Sequence, residues 1–100
     1  MKHLVGKTII EKVEFMGEEL QVKKLTVTEV FKIQDLIKKA QNKKTEYDDI
    51  GLIKDVIRMA VIGAEEITDE DFNSFPVGEL TSLSERIMEI AGLGNASSGN

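Results

Sequence analysis

Thr8-Ile9-Ile10-Glu11-Lys12-Val13-Glu14-Phe15-Met16-Gly17-Glu18-Glu19-Leu20-Gln21-Val22-Lys23-Lys24-Leu25 is the stretch that decides the fold class. From Ile9 to Phe15, apolar and polar residues alternate with the two-residue period of a strand buried on one face. Met16-Gly17-Glu18 reads as a turn, with Gly17 free to take a positive φ. From Leu20 the period of two resumes and places Leu20 and Val22 on one face. The two runs predict a β-hairpin. Two strands alone are marginal in water, so the hairpin must rest on helices or extend another sheet.

Helical signals fill the rest of the chain. Thr26-Val27-Thr28-Glu29 matches the Thr-x-x-Glu capping box and predicts a helix to about Gln41. Val30, Ile33, Ile37 and Ala40 form its apolar stripe, which Phe31 and Leu36 widen on opposite edges; Lys38, Lys39, Lys43 and Lys44 lie near its C-terminal end, where cations are favoured. A second helix is expected from Asp48 or Asp49 to a stop at Gly63. Its apolar residues cover most of the circumference, with strong charge only at Lys54, Asp55 and Arg58, the pattern of a central helix. Thr68 then caps a short acidic turn or helix, Asp69–Asn73, and Pro76 suits the first turn of a last helix reaching about Ala91. There Val77, Leu80, Leu83, Ile87, Ile90 and Ala91 make the stripe, Gly92 the stop, and Leu93 the closing apolar contact. The expected architecture is α+β: an N-terminal β-hairpin followed by three main α-helices in one domain over residues 1–93, with a flexible small-residue tail over 94–100.

Composition narrows the function classes. One hundred residues suffice for one modest core, and 41% hydrophobic with 31% charged residues is an ordinary globular balance. There is no cysteine, hence neither a disulfide framework nor a thiolate metal site, and no apolar run has the roughly 18 residues of a membrane span. His3 stands alone, without a nucleophile or a second histidine, and the acids Glu65, Glu66, Asp69, Glu70 and Asp71 are explained by helix capping rather than by a calcium loop. These features predict no enzyme activity, no cofactor and no metal.

The net charge of −5 is unevenly spread: residues 1–44 carry ten lysines against six acids, whereas residues 45–100 carry twelve acids against Lys54, Arg58 and Arg86. One reading is two solvated faces; the other is complementarity between copies, the basic part of one meeting the acidic part of the next. A hairpin beside three helices also fits a winged-helix nucleic-acid module, but that needs a basic reading helix, and the last two helices are poor in cations. Lys32, Lys38, Lys39, Lys43 and Lys44 are all that speak for it, and neither nucleic acid nor membrane is expected as a partner. An interaction module remains. The wide stripes of the first two helices predict apolar surface beyond what so short a chain covers, with Phe31, Leu36, Leu52 and Met59 as partner-binding candidates. The plainer alternative is that the fold covers it all.

The chain resembles the small tail assembly chaperones of long-tailed bacteriophages over roughly residues 9–93. The likeness is carried by the hairpin Val13-Glu14-Phe15-Met16-Gly17-Glu18-Glu19 with Lys24-Leu25-Thr26-Val27-Thr28-Glu29-Val30, by Val56-Ile57-Arg58-Met59-Ala60-Val61, and by Glu66-Ile67-Thr68-Asp69-Glu70-Asp71-Phe72 leading into Phe75-Pro76-Val77-Gly78-Glu79-Leu80 and Leu83-Ser84. No single motif among these is diagnostic. The resemblance implies a protein of the infected host cytoplasm that binds the tape measure protein, helps recruit tail tube protein subunits, self-associates, and is absent from the mature virion. It also implies that a longer frameshifted product can accompany the short one. The alternative is a small structural or tail-completion component that stays in the particle.

Overall fold

The computed structural model describes residues 1–93, and the expected tail lies outside them. Strands β1 (Ile10–Phe15) and β2 (Glu18–Lys23) form an antiparallel hairpin, followed by helices α1 (Val27–Gln41), α2 (Asp49–Ala60), α3 (Asp69–Asn73) and α4 (Val77–Ile90). The fold is α+β. Single 3-10 turns at Lys2–Leu4 and Ala64–Glu66 complete it.

The hairpin pairs Val13 with Leu20 and Phe15 with Glu18, leaving Met16 and Gly17 as a two-residue loop. Both loop residues have positive φ, 51° and 82°, as a type I′ turn requires, so the strands twist together without a bulge. Glu18 therefore belongs to the strand rather than to the turn. Val13 and Val22 are buried on the inner face, against the helices.

Helices α1, α2 and α3 each start with a side-chain cap. Thr26 accepts from the Glu29 amide while the Glu29 carboxylate accepts from the Thr26 amide. Asp48 caps α2 through the Gly51 amide, and Thr68 forms a second reciprocal box with Asp71. Gly51 has a packing reason: a β-carbon there would meet the Tyr47 ring at 3.2 Å. Pro76, expected in the first turn of the last helix, instead occupies the N-cap of α4 in extended backbone, with no side-chain cap bond. At the other end of α4, the Leu93 amide donates to the Met88 carbonyl and the Gly92 amide to Glu89, a Schellman closure with Gly92 left-handed.

Two expectations are corrected. Helix α2 ends at Ala60, not Gly63, because Val61 turns extended and bridges Val22, and the Ile62 amide donates to the Gln21 carbonyl at 3.0 Å. Sheet hydrogen bonding thus outcompetes another helical turn, and Gly63 instead starts the 3-10 turn. Val77, placed in the buried stripe by its spacing, is 59% exposed, since at the first turn of α4 it lies beyond the reach of the core. The core joins Ile33 of α1, Val56, Ile57 and Ala60 of α2, Phe72 of α3, and Leu80, Leu83 and Ile87 of α4.

Candidate functional site: an apolar groove at the hairpin tip

An apolar opening lies between the hairpin tip and the segment from the end of α2 to α4, a groove of about 410 Å³. That volume falls in the lower part of the roughly 300–1,000 Å³ common for binding pockets. Its base consists of the buried residues Ile57, Val61, Ala64, Phe72, Leu80 and Leu83. Half-buried Phe15, Leu20, Ile67 and Phe75 make the walls, and Met16 and Ile62 stand exposed at the mouth. Among the described residues, Glu18 is the only charged one in the lining.

Local sequence explains how these residues meet. Phe15 ends β1 on the inward face, and Phe75 sits between two helix starts, after α3 and before Pro76. Their rings meet edge to face at 5.5 Å between centroids, joining the hairpin to the α3–α4 connection. The extended Val61-Ile62 step then forms the side nearest β2 and holds Ile62 at the surface, 49% exposed.

Arg58 holds the other side in place. Its Nε–H donates to the Ile67 carbonyl at 3.1 Å, one Nη–H reaches Asp69 at 2.6 Å, another reaches Asp55 at 3.4 Å, and the guanidinium lies 4.8 Å from the Phe72 ring centre. The hydrogen bond from Arg58, with the nearby Lys54 charge, holds the Asp69 carboxyl below its ordinary value. Lys54 also donates to Asn73 at 2.9 Å, so α2 grips α3 at two points. Around the base of α2, Tyr47 donates to Asp55 at 2.7 Å; burial first, and then that hydrogen bond, push the phenol well above its usual range.

Chemically, this arrangement can bind but offers no converging set of reactive groups. Among the described residues the groove has no nucleophile, histidine or cluster of donors, and no group of three or more potential metal ligands comes together. Also among the described residues, no helix is long and apolar enough to cross a membrane.

The four residues singled out by stripe width lie elsewhere. Phe31 is 61% exposed on α1, with Val27 one turn before it also exposed. Leu36 is half-buried, and Leu52 and Met59 are half-buried against the core. The fold does not bring the four into the groove. Helical spacing could not find the groove, because its walls come from the strand tip and from the irregular segments around Ile62, Ile67 and Phe75. The signal available was the pair Phe72 and Phe75 bracketed by two helix starts. No family model, curated protein or solved structure matches this chain.

Proposed function

We propose that this chain is a non-catalytic tail assembly chaperone, which binds the tape measure protein and helps recruit tail tube subunits in the host cytoplasm. The observation that supports this most is the apolar groove, open at the surface of a small domain and lined by one charged residue, Glu18. Such a lining suits the apolar side of an amphipathic helix and suits a polar metabolite poorly. A tape measure protein is long and helical and exposes apolar stripes until the tail tube encloses it. Small acidic subunits in many copies would cover those stripes, with the basic and acidic halves of the sequence favouring alignment of neighbours. Phe31 and Val27 add a second exposed apolar strip on α1 for the same client.

Co-expression with the tape measure protein tests the reading. The wild-type chain should keep that protein soluble and co-purify with it, whereas Ile62→Glu should fold normally and lose both effects. Ile62 is exposed at the mouth, so a charge there disturbs the groove and not the core. An unchanged client solubility with the wild-type chain rejects the proposal. Stoichiometric recovery of the chain in purified particles would make it a structural tail component instead.

A further inference from the structure

The sheet contains two strands in the order β1–β2, so the outer edge of β1 carries no strand among the described residues. Hydrogen bonding fixes which groups that edge presents. The Lys24 amide donates to the Ile9 carbonyl, whereas the Gln21 carbonyl faces away from β1 and accepts from Ile62. Antiparallel ladders alternate inward and outward along each strand, and the register pairs Val22 with Glu11 and Leu20 with Val13. The backbone N–H and C=O groups of Ile10, Lys12 and Glu14 therefore point outward, ready to pair.

Beside this edge lies an open gap of about 480 Å³. Lys12, Val13 and Glu14 form one side of it, and Glu79, Ser82 and Arg86 of α4 form the other. The charges on both sides have a shared pattern. Lys12 and Glu14 flank Val13, and Glu79 and Arg86 flank Ser82, each set with opposite signs about a small or neutral centre. Glu14 also stands directly across from Glu19 in the hairpin, a like-charge pair, while the exposed Lys12 ammonium lies 3.8 Å from Glu19. Among the described residues Glu14, Glu79 and Arg86 make no ion pair.

We infer that this edge is a self-complementary dimer interface, in which β1 of one copy pairs antiparallel with β1 of a second copy about a two-fold axis beside Val13 and Ser82. That register puts Lys12 across from Glu14 of the second copy, and Glu14 across from its Lys12, with backbone hydrogen bonds between both pairs. It also sets Glu79 of α4 against Arg86 of the second copy, and Ser82 lets the helices approach. Other registers select against themselves: centring on Lys12 would oppose two lysines, and centring on Glu14 two glutamates. Charged residues on an edge strand ordinarily block indiscriminate pairing, and here they favour the register that sets Lys12 and Glu14 of the two copies opposite one another. An isologous contact of this kind closes at two copies and makes a four-stranded sheet from two hairpins. The gap adjoins the groove, sharing Phe15 and Leu83 with it, but the pairing groups of the edge, Lys12, Glu14, Glu79 and Arg86, lie outside the groove's lining.

Sedimentation equilibrium at low salt, over a concentration series, tests the interface. The wild-type chain should show a monomer–dimer equilibrium. Lys12→Glu alone or Glu14→Lys alone should weaken it about tenfold or more, because each places like charges opposite one another twice. The combined swap Lys12→Glu with Glu14→Lys should restore dimerisation, which a variant that merely misfolded would not do. Glu79→Arg with Arg86→Glu should likewise restore what either single change removes. Hydrogen exchange at the Lys12 and Glu14 amides should slow as concentration rises. A wild-type chain that stays monomeric throughout, a dimer indifferent to the single reversals, or a double swap that fails to recover would each overturn the interface.

Discussion

Arg58 makes four contacts from one side chain, to the Ile67 carbonyl, Asp69, Asp55 and the Phe72 ring. Charge-assisted hydrogen bonds are worth more than neutral ones, and removing Arg58 also leaves a partly buried carbonyl without its donor. Arg58→Met should therefore lower stability by about 2 kcal/mol in urea titration, while Asp69→Asn, altering an exposed carboxylate, should do much less. Acid should act on the same contacts. Burial pushes the Glu29 carboxyl up, but the Lys23 ammonium and the Thr26 amide outweigh it and leave the carboxyl below its ordinary value; Arg58 lowers Asp69 likewise. Both groups bind protons less readily folded than unfolded. The stability they add is complete above about pH 5 and is lost as pH falls through their depressed folded values. A pH series of urea midpoints should show this decline below about pH 4.5, and a Glu29→Gln, Asp69→Asn variant should show a shallower one.

At the scale of elements, the glycines separate turn geometry from helix propensity. Gly17 holds φ near +82° in the hairpin loop, so Gly17→Ala should destabilise by about 1 kcal/mol even though nothing lies within 4 Å of a new β-carbon. Gly78 is in the first turn of α4, has no positive φ and meets nothing within 4 Å, so Gly78→Ala should stabilise by about 0.5–1 kcal/mol. Thermal melts of the two variants should move in opposite directions. The end of α2 belongs here too. Residues Met59-Ala60-Val61-Ile62 have no helix breaker before Gly63, yet the helix stops at Ala60 because the exposed carbonyl of Gln21 offers Ile62 a sheet bond. That short extended step places Ile62 at the mouth of the groove.

At the scale of the molecule, two surfaces have different chemistry and different consequences. The groove is apolar, and its binding should change little with salt. The β1–α4 edge is charged, and its pairing should weaken as ionic strength rises and screening shortens to about 10 Å near 0.1 M. Sedimentation in a salt series beside a client-binding series separates the two: self-association should fall with salt while capture of an apolar helical client persists. If both surfaces work together, a dimer would present two grooves, and two linked sites on one long client bind more tightly than either alone.

Local chemistry written into the chain was enough for the elements. Alternation about Met16-Gly17, the two Thr-led capping boxes, Asp48 before α2 and Gly92-Leu93 after α4 each act within a few residues, and each appears where its chemistry places it. Charge content and the lack of cysteine were equally readable, since they require no neighbours. What only the tertiary structure decided was the exposed apolar surface. The widths of the α1 and α2 stripes pointed to Phe31, Leu36, Leu52 and Met59; of these Phe31 is exposed, Leu52 and Met59 pack on the core, and a separate open groove forms from Phe15, Ile62, Ile67 and Phe75. Helical periodicity records which side of one helix is apolar. Whether that side stays exposed depends on contacts between residues distant in sequence, and those arise only when hairpin and helices pack.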